Sequence, residues 1–114
     1  MQKNSQCIFC QIIEKTVPAR FLMEHEDYVV IADINPQAPT HLLIFPTMHV
    51  ASLVECADAQ KLGQLLMVTK DLAQNYNLSS GFRLVINTGP DGGQTVDHLH
   101  IHVLAGRALA WPPG

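Results

Sequence analysis

Three histidines stand at every second position near the end of the chain, in the run DHLHIHVL at residues 97–104. If this run is an extended strand, His98, His100 and His102 share one face, and the aliphatic residues between them share the other. The imidazoles then stand roughly 6.6 Å apart. Imidazole can act as nucleophile, acid, base or metal ligand near neutral pH. Polar strand faces are more often built from Thr, Lys, Glu or Ser, so the pattern indicates a functional strand rather than an ordinary exposed one.

The glycine-rich loop TGPDGGQT at residues 88–95 leads directly into this strand. Gly92 and Gly93 let the backbone approach a ligand and turn its N–H groups toward an anion, and Gln94 and Thr95 add side-chain donors. The same stretch would also serve as a plain turn, since Pro-Asp-Gly is favourable turn chemistry. Beside three histidines, the loop is better interpreted as a cradle for a phosphate or an oxyanion.

Two chemistries fit the strand and its loop. In the first, the central His100 is a nucleophile on phosphorus and His102 is a flanking donor, since a phosphoryl group on imidazole nitrogen is readily passed to water. In the second, the alternate histidines bind a catalytic zinc ion that generates hydroxide. The strand alone does not separate these two possibilities.

The composition narrows the class of protein. The chain has 114 residues, of which 47% are hydrophobic and 15% charged, and a formal net charge of −3. These values predict one globular domain over residues 1–114 and exclude a basic track for nucleic acid. No apolar run reaches the roughly 20 residues that span a bilayer, so we expect no membrane partner and a cytoplasmic location. Three cysteines, an odd number, argue against a secreted disulfide framework.

Periodicity predicts the elements that must position the site. We expect a short amphipathic helix over residues 7–17 that Pro18 stops, and a long helix over 58–75 with Asp58 as its N-cap. Strands are expected over residues 21–24, 28–32, 41–45, 82–87 and 97–104. Short connections favour antiparallel pairing, so the predicted fold is α+β, a five-stranded antiparallel meander with the helices on one face.

Four stretches together resemble the histidine triad (HIT) superfamily, and specifically its Hint branch. They are the run DINPQAPTH at 33–41, the loop DGGQT at 91–95, the H-x-H-x-H triad at 98–102 and the ending WPPG at 111–114. The similarity covers nearly the whole chain, from Ile8 to Gly114. The resemblance implies the HIT fold and a homodimeric, purine-nucleotide-binding phosphoramidase. Such enzymes cleave the P–N bond of nucleoside 5'-phosphoramidates of AMP or GMP, and related aminoacyl-adenylates, through a nucleotidylated histidine.

The resemblance also implies roles for individual residues. His100 would be the nucleophile, His102 and Thr95 would lie close to the phosphate and the leaving group, and His41 would support the triad from beneath. Asp33 would hold the ribose hydroxyls, and Trp111 would reach toward the partner's site from a dimer built by the long helix and the C-terminal segment. The remaining predicted nucleotide contacts are Asn87, Gly93 and Gln94 along the phosphate and ribose, and Ile8, Phe9, Ile12, Ile31 and Ile34 around the base.

A structural zinc site is implied by the same resemblance, whereas catalysis itself needs no cofactor. Some HIT proteins hold zinc with two N-terminal cysteines, a histidine after the third strand and the first triad histidine. The matching residues here are Cys7, Cys10, His49 and His98. A Cys2His2 set suits tetrahedral zinc. Free thiols in a reducing cytosol or a redox pair are the alternatives, and with zinc bound His98 would be a structural ligand.

Two positions depart from the Hint pattern. Thr95 stands where serine is usual and keeps the hydroxyl, and Asp97 stands where an aromatic residue is common and adds a negative charge beside an anion site. Other functions stay open: a dinucleoside polyphosphate hydrolase of the Fhit-like branch, a nucleotide-binding regulatory module, or a zinc-hydroxide hydrolase. The WPPG ending favours the Hint branch over the Fhit-like one.

Overall fold

The computed structural model describes residues 4–76 and 78–114. In chain order its elements are α1 (Ile8–Ile13), β1 (Phe21–Glu24), β2 (Tyr28–Ala32), β3 (Thr40–Pro46), α2 (Ala59–Asn75), β4 (Phe82–Val85) and β5 (Ile101–Ala105). The predicted α+β class, with five antiparallel strands, a short helix and a long one, is confirmed. Across the described residues, no helix combines the length and apolar character that crossing a membrane requires.

The two helices differ in how well their ends follow the sequence. Helix α2 begins as predicted, because the Asp58 carboxylate accepts the backbone N–H of Lys61 at 3.1 Å. Helix α1 is shorter than predicted and ends at Ile13 rather than at Val17. Lys15 has a φ of 64°, so the chain leaves the helix in a left-handed turn before the proline is reached.

The order of the strands corrects the predicted meander. The sheet runs β1-β2-β3-β5-β4, so β5 lies between β3 and β4 and the order is not sequential. The long helix α2 separates β3 from β4 in the chain, and it spans enough distance for β4 to join the far edge of the sheet. The last strand then fills the gap and pairs antiparallel with both neighbours. This insertion places the histidine-bearing strand in the interior of the sheet.

The sheet has a core on each face, and the prediction of helices on one face is wrong. Leu65, Val68 and Leu72 of α2 pack with a cluster that includes Leu42 and Ile101. The second cluster, on the opposite face, joins α1 to alternate residues of β2 and β3; its buried members are Cys7, Phe9, Cys10, Ile12, Val29, Ile31, Leu43 and Phe45. Helix α1 therefore covers the face that α2 leaves free. The six residues of α1 are too few for their apolar pattern to predict which face of the sheet they cover.

Candidate functional site

The predicted alternation of the histidine run is confirmed, although regular pairing begins only at Ile101. Leu99, Ile101 and Val103 are buried in the core beneath α2. In the ladder between β3 and β5, His102 pairs with Leu43, a residue of the α1-side cluster. Phe9 of α1 contacts the rings of His98 and His100 edge-on, at centroid distances of 5.7 and 5.0 Å. All three histidines therefore lie on the α1 side of the sheet.

His98 is completely buried and faces two cysteines. Its Nδ1 lies 3.3 Å from Cys7 Sγ and 3.7 Å from Cys10 Sγ, and His49 Nδ1 lies 3.4 Å from Cys10 Sγ. The four side chains hold their potential ligand atoms within 4.8 Å of one another. For Zn–S and Zn–N bonds of about 2.3 and 2.05 Å, the S···N edge of a tetrahedron is about 3.6 Å. The donor set and its spacing fit a zinc ion.

Further hydrogen bonds prepare these donors. His98 Nε2–H donates to the Pro46 carbonyl at 2.8 Å, which leaves Nδ1 as the lone-pair atom that faces the sulfurs. The backbone N–H of Cys10 donates to Cys7 Sγ at 3.4 Å, and that of Asn4 donates to Cys10 Sγ at 3.5 Å. Burial raises the pKa of the Cys10 thiol, so that thiol keeps its proton until a cation replaces it.

The next triad residue is tied to His98 through the backbone. His100 Nδ1–H donates to the His98 carbonyl at 2.7 Å, and the His100 side chain is buried. A carbonyl can only accept, so the proton is on Nδ1 and the lone pair is on Nε2. His100 also lines the main cavity of this face. The ring can therefore present an unprotonated nitrogen to a bound group.

His102 belongs to a second hydrogen-bonded chain. The backbone N–H of Gln37 donates to His41 Nδ1 at 3.0 Å, so the His41 proton is on Nε2. That Nε2 lies 2.9 Å from His102 Nδ1 and 3.3 Å from Asp33 Oδ2, so both atoms accept from it. His102 must then carry its own proton on Nε2. These hydrogen bonds thus leave His102 with a donor N–H at Nε2, whereas His100 has a lone pair at Nε2.

Burial lowers the pKa of both catalytic candidates. It lowers the pKa of His100, and it lowers the pKa of His102 to about 4, with the neighbouring His100 and His41 as further causes. Both rings are therefore neutral at pH 7, which the assigned lone pair on His100 requires.

Within the described ranges, no group of potential metal ligands contains more than one of the three triad histidines. One group is the cysteine and histidine cluster around His98, and the other is Asp33, His41 and His102. Neither contains His100, and His98 and His102 fall in different groups. The interpretation of the three histidines as one catalytic zinc site is therefore not supported by the geometry.

A cavity of about 260 Å³ opens beside His100 and His102. Nine of the residues predicted to contact a nucleotide line it: Ile8, Phe9, Ile12, Ile31, Asp33, Ile34, Thr95, His100 and His102. Sequence reasoning missed six others: Val17, Pro18, Ala19, Ala32, Leu43 and Val96. The first three follow the unexpected early end of α1, so only the folded helix shows that this segment forms a wall. Ile34, 93% exposed, stands at the mouth.

The remaining predicted contacts do not line this cavity in the single chain. Asn87 Nδ2 donates to the Gly92 carbonyl at 2.7 Å, and Gln94 Nε2 donates to the carbonyls of Ala51 and Val96 at 2.8 and 3.0 Å. Both amides thereby shape the loop in which Gly93 lies. Trp111 is 83% exposed. Contact with a nucleotide stays a prediction for these four residues, as it does for the nine that line the cavity.

Residues 14–109, more than half of the chain, match the model of the HIT domain family. The chain belongs to the HIT domain family. The matched range contains all three triad histidines, His41 and His49, whereas Cys7 and Cys10 precede it.

Individual relatives extend the HIT match to the N-terminal cysteines. The chain is 48% identical to an uncharacterized HIT-like protein of Synechococcus elongatus over 97% of its own length and 99% of that protein. It is 45% identical to a 14 kDa zinc-binding protein of Zea mays, over 97% of this chain and 90% of the relative. The crystal structure of a HIT family hydrolase from Legionella pneumophila superposes with a TM-score of 0.92 at 44% identity, covering 95% of this chain and 99% of that one.

Proposed function

We propose that this HIT protein is a hydrolase of the Hint type that cleaves the P–N bond of adenosine or guanosine 5'-phosphoramidates, and of related aminoacyl-adenylates, through a nucleotidyl group on His100. The observation that carries the proposal is the fixed tautomer of His100, whose Nδ1–H is held by the His98 carbonyl at 2.7 Å. Nε2 is left with a lone pair, and the ring lines the cavity. The hydrolase in the Legionella pneumophila structure supports the reaction class.

The reaction is a double displacement. The lone pair of His100 Nε2 forms a bond to phosphorus, and the P–N bond breaks with its electron pair on the amine nitrogen, which takes up one solvent proton. Water then attacks phosphorus, the Nε2–P bond breaks with its pair on nitrogen, and one proton is released. His102 Nε2–H and the loop N–H groups stabilise the charge on the phosphoryl oxygens. The Thr95 hydroxyl, which lines the same cavity, can relay the proton to the amine.

The walls of the cavity suit a nucleoside. Phe9 stacks on Phe45 with ring centroids 4.3 Å apart, which fixes the wall that a purine would contact. Apolar side chains of α1 and β2 complete that part of the cavity. Asp33 also lines the cavity, and its carboxylate can accept hydrogen bonds from ribose hydroxyls while it also accepts from His41. A mostly apolar lining with a few polar groups is the usual composition of a small-molecule site.

We also propose that Cys7, Cys10, His49 and His98 hold one structural zinc ion. The ion would tie the start of α1 to the loop before β5 and supply no chemistry to the reaction. The S···N distances of 3.3–3.7 Å support it, as does the similarity to the zinc-binding relative from Zea mays. Zinc thiolates and free Cys56 both suit the cytoplasm, where we place the protein.

A homodimer completes the proposal. Strand β4 lies at the edge of the sheet, and Leu66 and Met67 of α2 and Phe82 of β4 are 42%, 58% and 40% exposed. Arg83 donates to the carbonyls of Leu109 and Ala110, which holds the C-terminal segment beside this edge. A second copy on this surface would bring Trp111 toward its partner. Sedimentation should show a dimer that Met67→Glu dissociates and that Thr16→Glu, at an exposed position in the turn after α1 on the other side of the sheet, does not.

Intact-protein mass spectrometry tests the reaction. A reaction with adenosine 5'-phosphoramidate is quenched without acid, and the native chain is compared with His100→Ala and His102→Ala. We expect one adenylyl adduct on the native chain and on His102→Ala, and none on His100→Ala. Turnover without any adduct would contradict the covalent mechanism. Faster turnover of a diadenosine polyphosphate than of the phosphoramidate would replace the proposed substrate with that of the Fhit-like branch.

A further inference from the structure

A second cavity adjoins the one assigned to the nucleotide. Its volume is about 280 Å³, and its lining residues are Asn4, Gln6, Cys7, Ile8, Thr95, Val96 and Asp97. Three of them, Ile8, Thr95 and Val96, also line the nucleotide cavity. The two cavities therefore share a wall, which includes the residue whose hydroxyl we place beside the leaving group.

Asp97 is held firmly in the wall of this second cavity. The backbone N–H of His98 donates to the Val96 carbonyl at 2.9 Å, which makes Asp97 the central residue of a three-residue turn. Val96 packs against the α1-side cluster, and His98 is fully buried. The Val96 carbonyl also accepts from Gln94 Nε2 at 3.0 Å. Both neighbours of Asp97 are thus anchored, while its own side chain is exposed.

The Asp97 carboxylate has no counter-charge in the described structure. Within residues 4–76 and 78–114, neither an ion pair nor a hydrogen bond to this side chain is present. It is the only Asp, Glu, Lys or Arg among the described lining residues, and Asn4 and Gln6 contribute neutral amides. A fixed carboxylate in a concave site attracts a cation and disfavours an anion. The second cavity is therefore suited to a positively charged group.

We propose that the second cavity binds the leaving amine and that Asp97 selects phosphoramidates whose amine carries a second, positively charged group. This inference rests on the proposed function. One nitrogen of an aliphatic diamine would be bonded to phosphorus beside Thr95, and its distal ammonium group would face Asp97. The nucleotide and the leaving amine would then occupy the two cavities, which share Ile8, Thr95 and Val96 as lining residues. Asp97 acts as a specificity residue and takes no part in bond making.

Paired substrates test the assignment. We would measure kcat/KM for two adenosine 5'-phosphoramidates, one formed from 1,4-diaminobutane and one from 4-aminobutan-1-ol, which has a neutral hydroxyl in place of the distal ammonium. The native chain should prefer the cationic substrate about three- to fivefold, the size expected for one solvent-exposed ion pair. The preference should shrink as the salt concentration rises, because salt screens exposed charges.

Two variants isolate the carboxylate. Asp97→Asn should bring the ratio of the two kcat/KM values to about one. Asp91→Asn, which removes another exposed carboxylate of the same loop that lines neither cavity, should keep the native ratio. The ratio is measured within one preparation, so it does not depend on the folded fraction. An equal rate for both substrates on the native chain, or an unchanged ratio in Asp97→Asn, would overturn the inference and leave the proposed function intact. Hydrolysis of neither substrate would overturn both.

Discussion

The backbone carbonyl of His98 accepts a hydrogen bond of 2.7 Å from the Nδ1–H of His100. His98 thereby does two things at once: its ring faces Cys7 and Cys10, and its backbone fixes the tautomer of the proposed nucleophile. The cysteine cluster and the reaction centre are consequently joined through His98 by a single hydrogen bond. Any change that displaces His98 should therefore also shift the His100 ring.

Removal of the metal should lower the stability of the fold. We expect about one zinc ion per chain in the purified protein, and none in Cys10→Ser. Treatment with a chelator should lower the melting temperature by about 10 °C or more, since zinc binds the folded cluster and not the unfolded chain. Zinc content and thermal unfolding are measured on the same samples. Cys56→Ser, which changes a thiol outside the cluster, is the control. A native chain without zinc, at unchanged stability, would contradict the zinc proposal.

The hydrogen bond from His41 to His102 should control kcat rather than the affinity for the substrate. His41→Ala removes the N–H that holds His102 Nδ1, so the His102 ring loses its fixed orientation. We expect kcat to fall about 10- to 100-fold, the usual effect of losing such an orienting hydrogen bond. His41→Gln retains an amide N–H donor and should recover part of this loss, which a purely structural role would not predict. Steady-state kinetics on adenosine 5'-phosphoramidate separates kcat from KM. Equal losses of kcat in the two variants would count against this role of the hydrogen bond.

Acidification should destabilise the fold through His102. Its pKa is lowered to about 4 in the folded state, against an ordinary value of 6.5, so the unfolded chain binds the proton more tightly. The stabilising contribution is present above pH 6.5 and is lost as the pH falls toward 4. Because the side chain is only half-buried, we expect a loss of about 1–2 kcal/mol between pH 7 and pH 4.5.

Urea unfolding at the two pH values measures this loss. His102→Gln lacks the titrating ring, whereas it keeps every residue of the cysteine cluster. The free energy of unfolding of this variant should therefore fall by about 1–2 kcal/mol less than that of the native chain over the same pH interval. An identical fall in both proteins would show that the acid sensitivity arises elsewhere.

Gly92 should tolerate no side chain. A Cβ atom at this position would lie 2.2 Å from the Thr88 carbonyl oxygen, which is backbone and cannot move aside. Gly92→Ala must therefore reopen the loop that presents Thr95, and we expect kcat/KM to fall at least about tenfold, since small misplacements of positioning groups are costly. Asp91→Ala, one residue earlier on the exposed part of the loop, should have a much smaller effect. Similar activity of the two variants would rule out a positioning role for the tight turn.

Local patterns in the sequence account for much of the fold and the site. Alternation over residues 98–103 placed the histidines on one face because successive strand side chains must point to opposite sides. The Asp58 cap and the three-four spacing after it defined α2, because these are interactions within one helix. Resemblance in the motifs predicted most of the residues that line the cavity, and it also predicted Cys7, Cys10, His49 and His98 as one set of ligands.

Contacts between distant segments were decided only by the tertiary structure. The insertion of β5 between β3 and β4, and the position of α1 opposite α2, depend on which surfaces are left uncovered once the sheet forms. The protonated nitrogen of His41 depends on the backbone N–H of Gln37, and that of His100 on the carbonyl of His98. The sequence alone determined which side chains could do chemistry. The fold determined which nitrogen of each ring is free to do it, because a histidine tautomer is set by hydrogen-bond partners that local sequence does not specify.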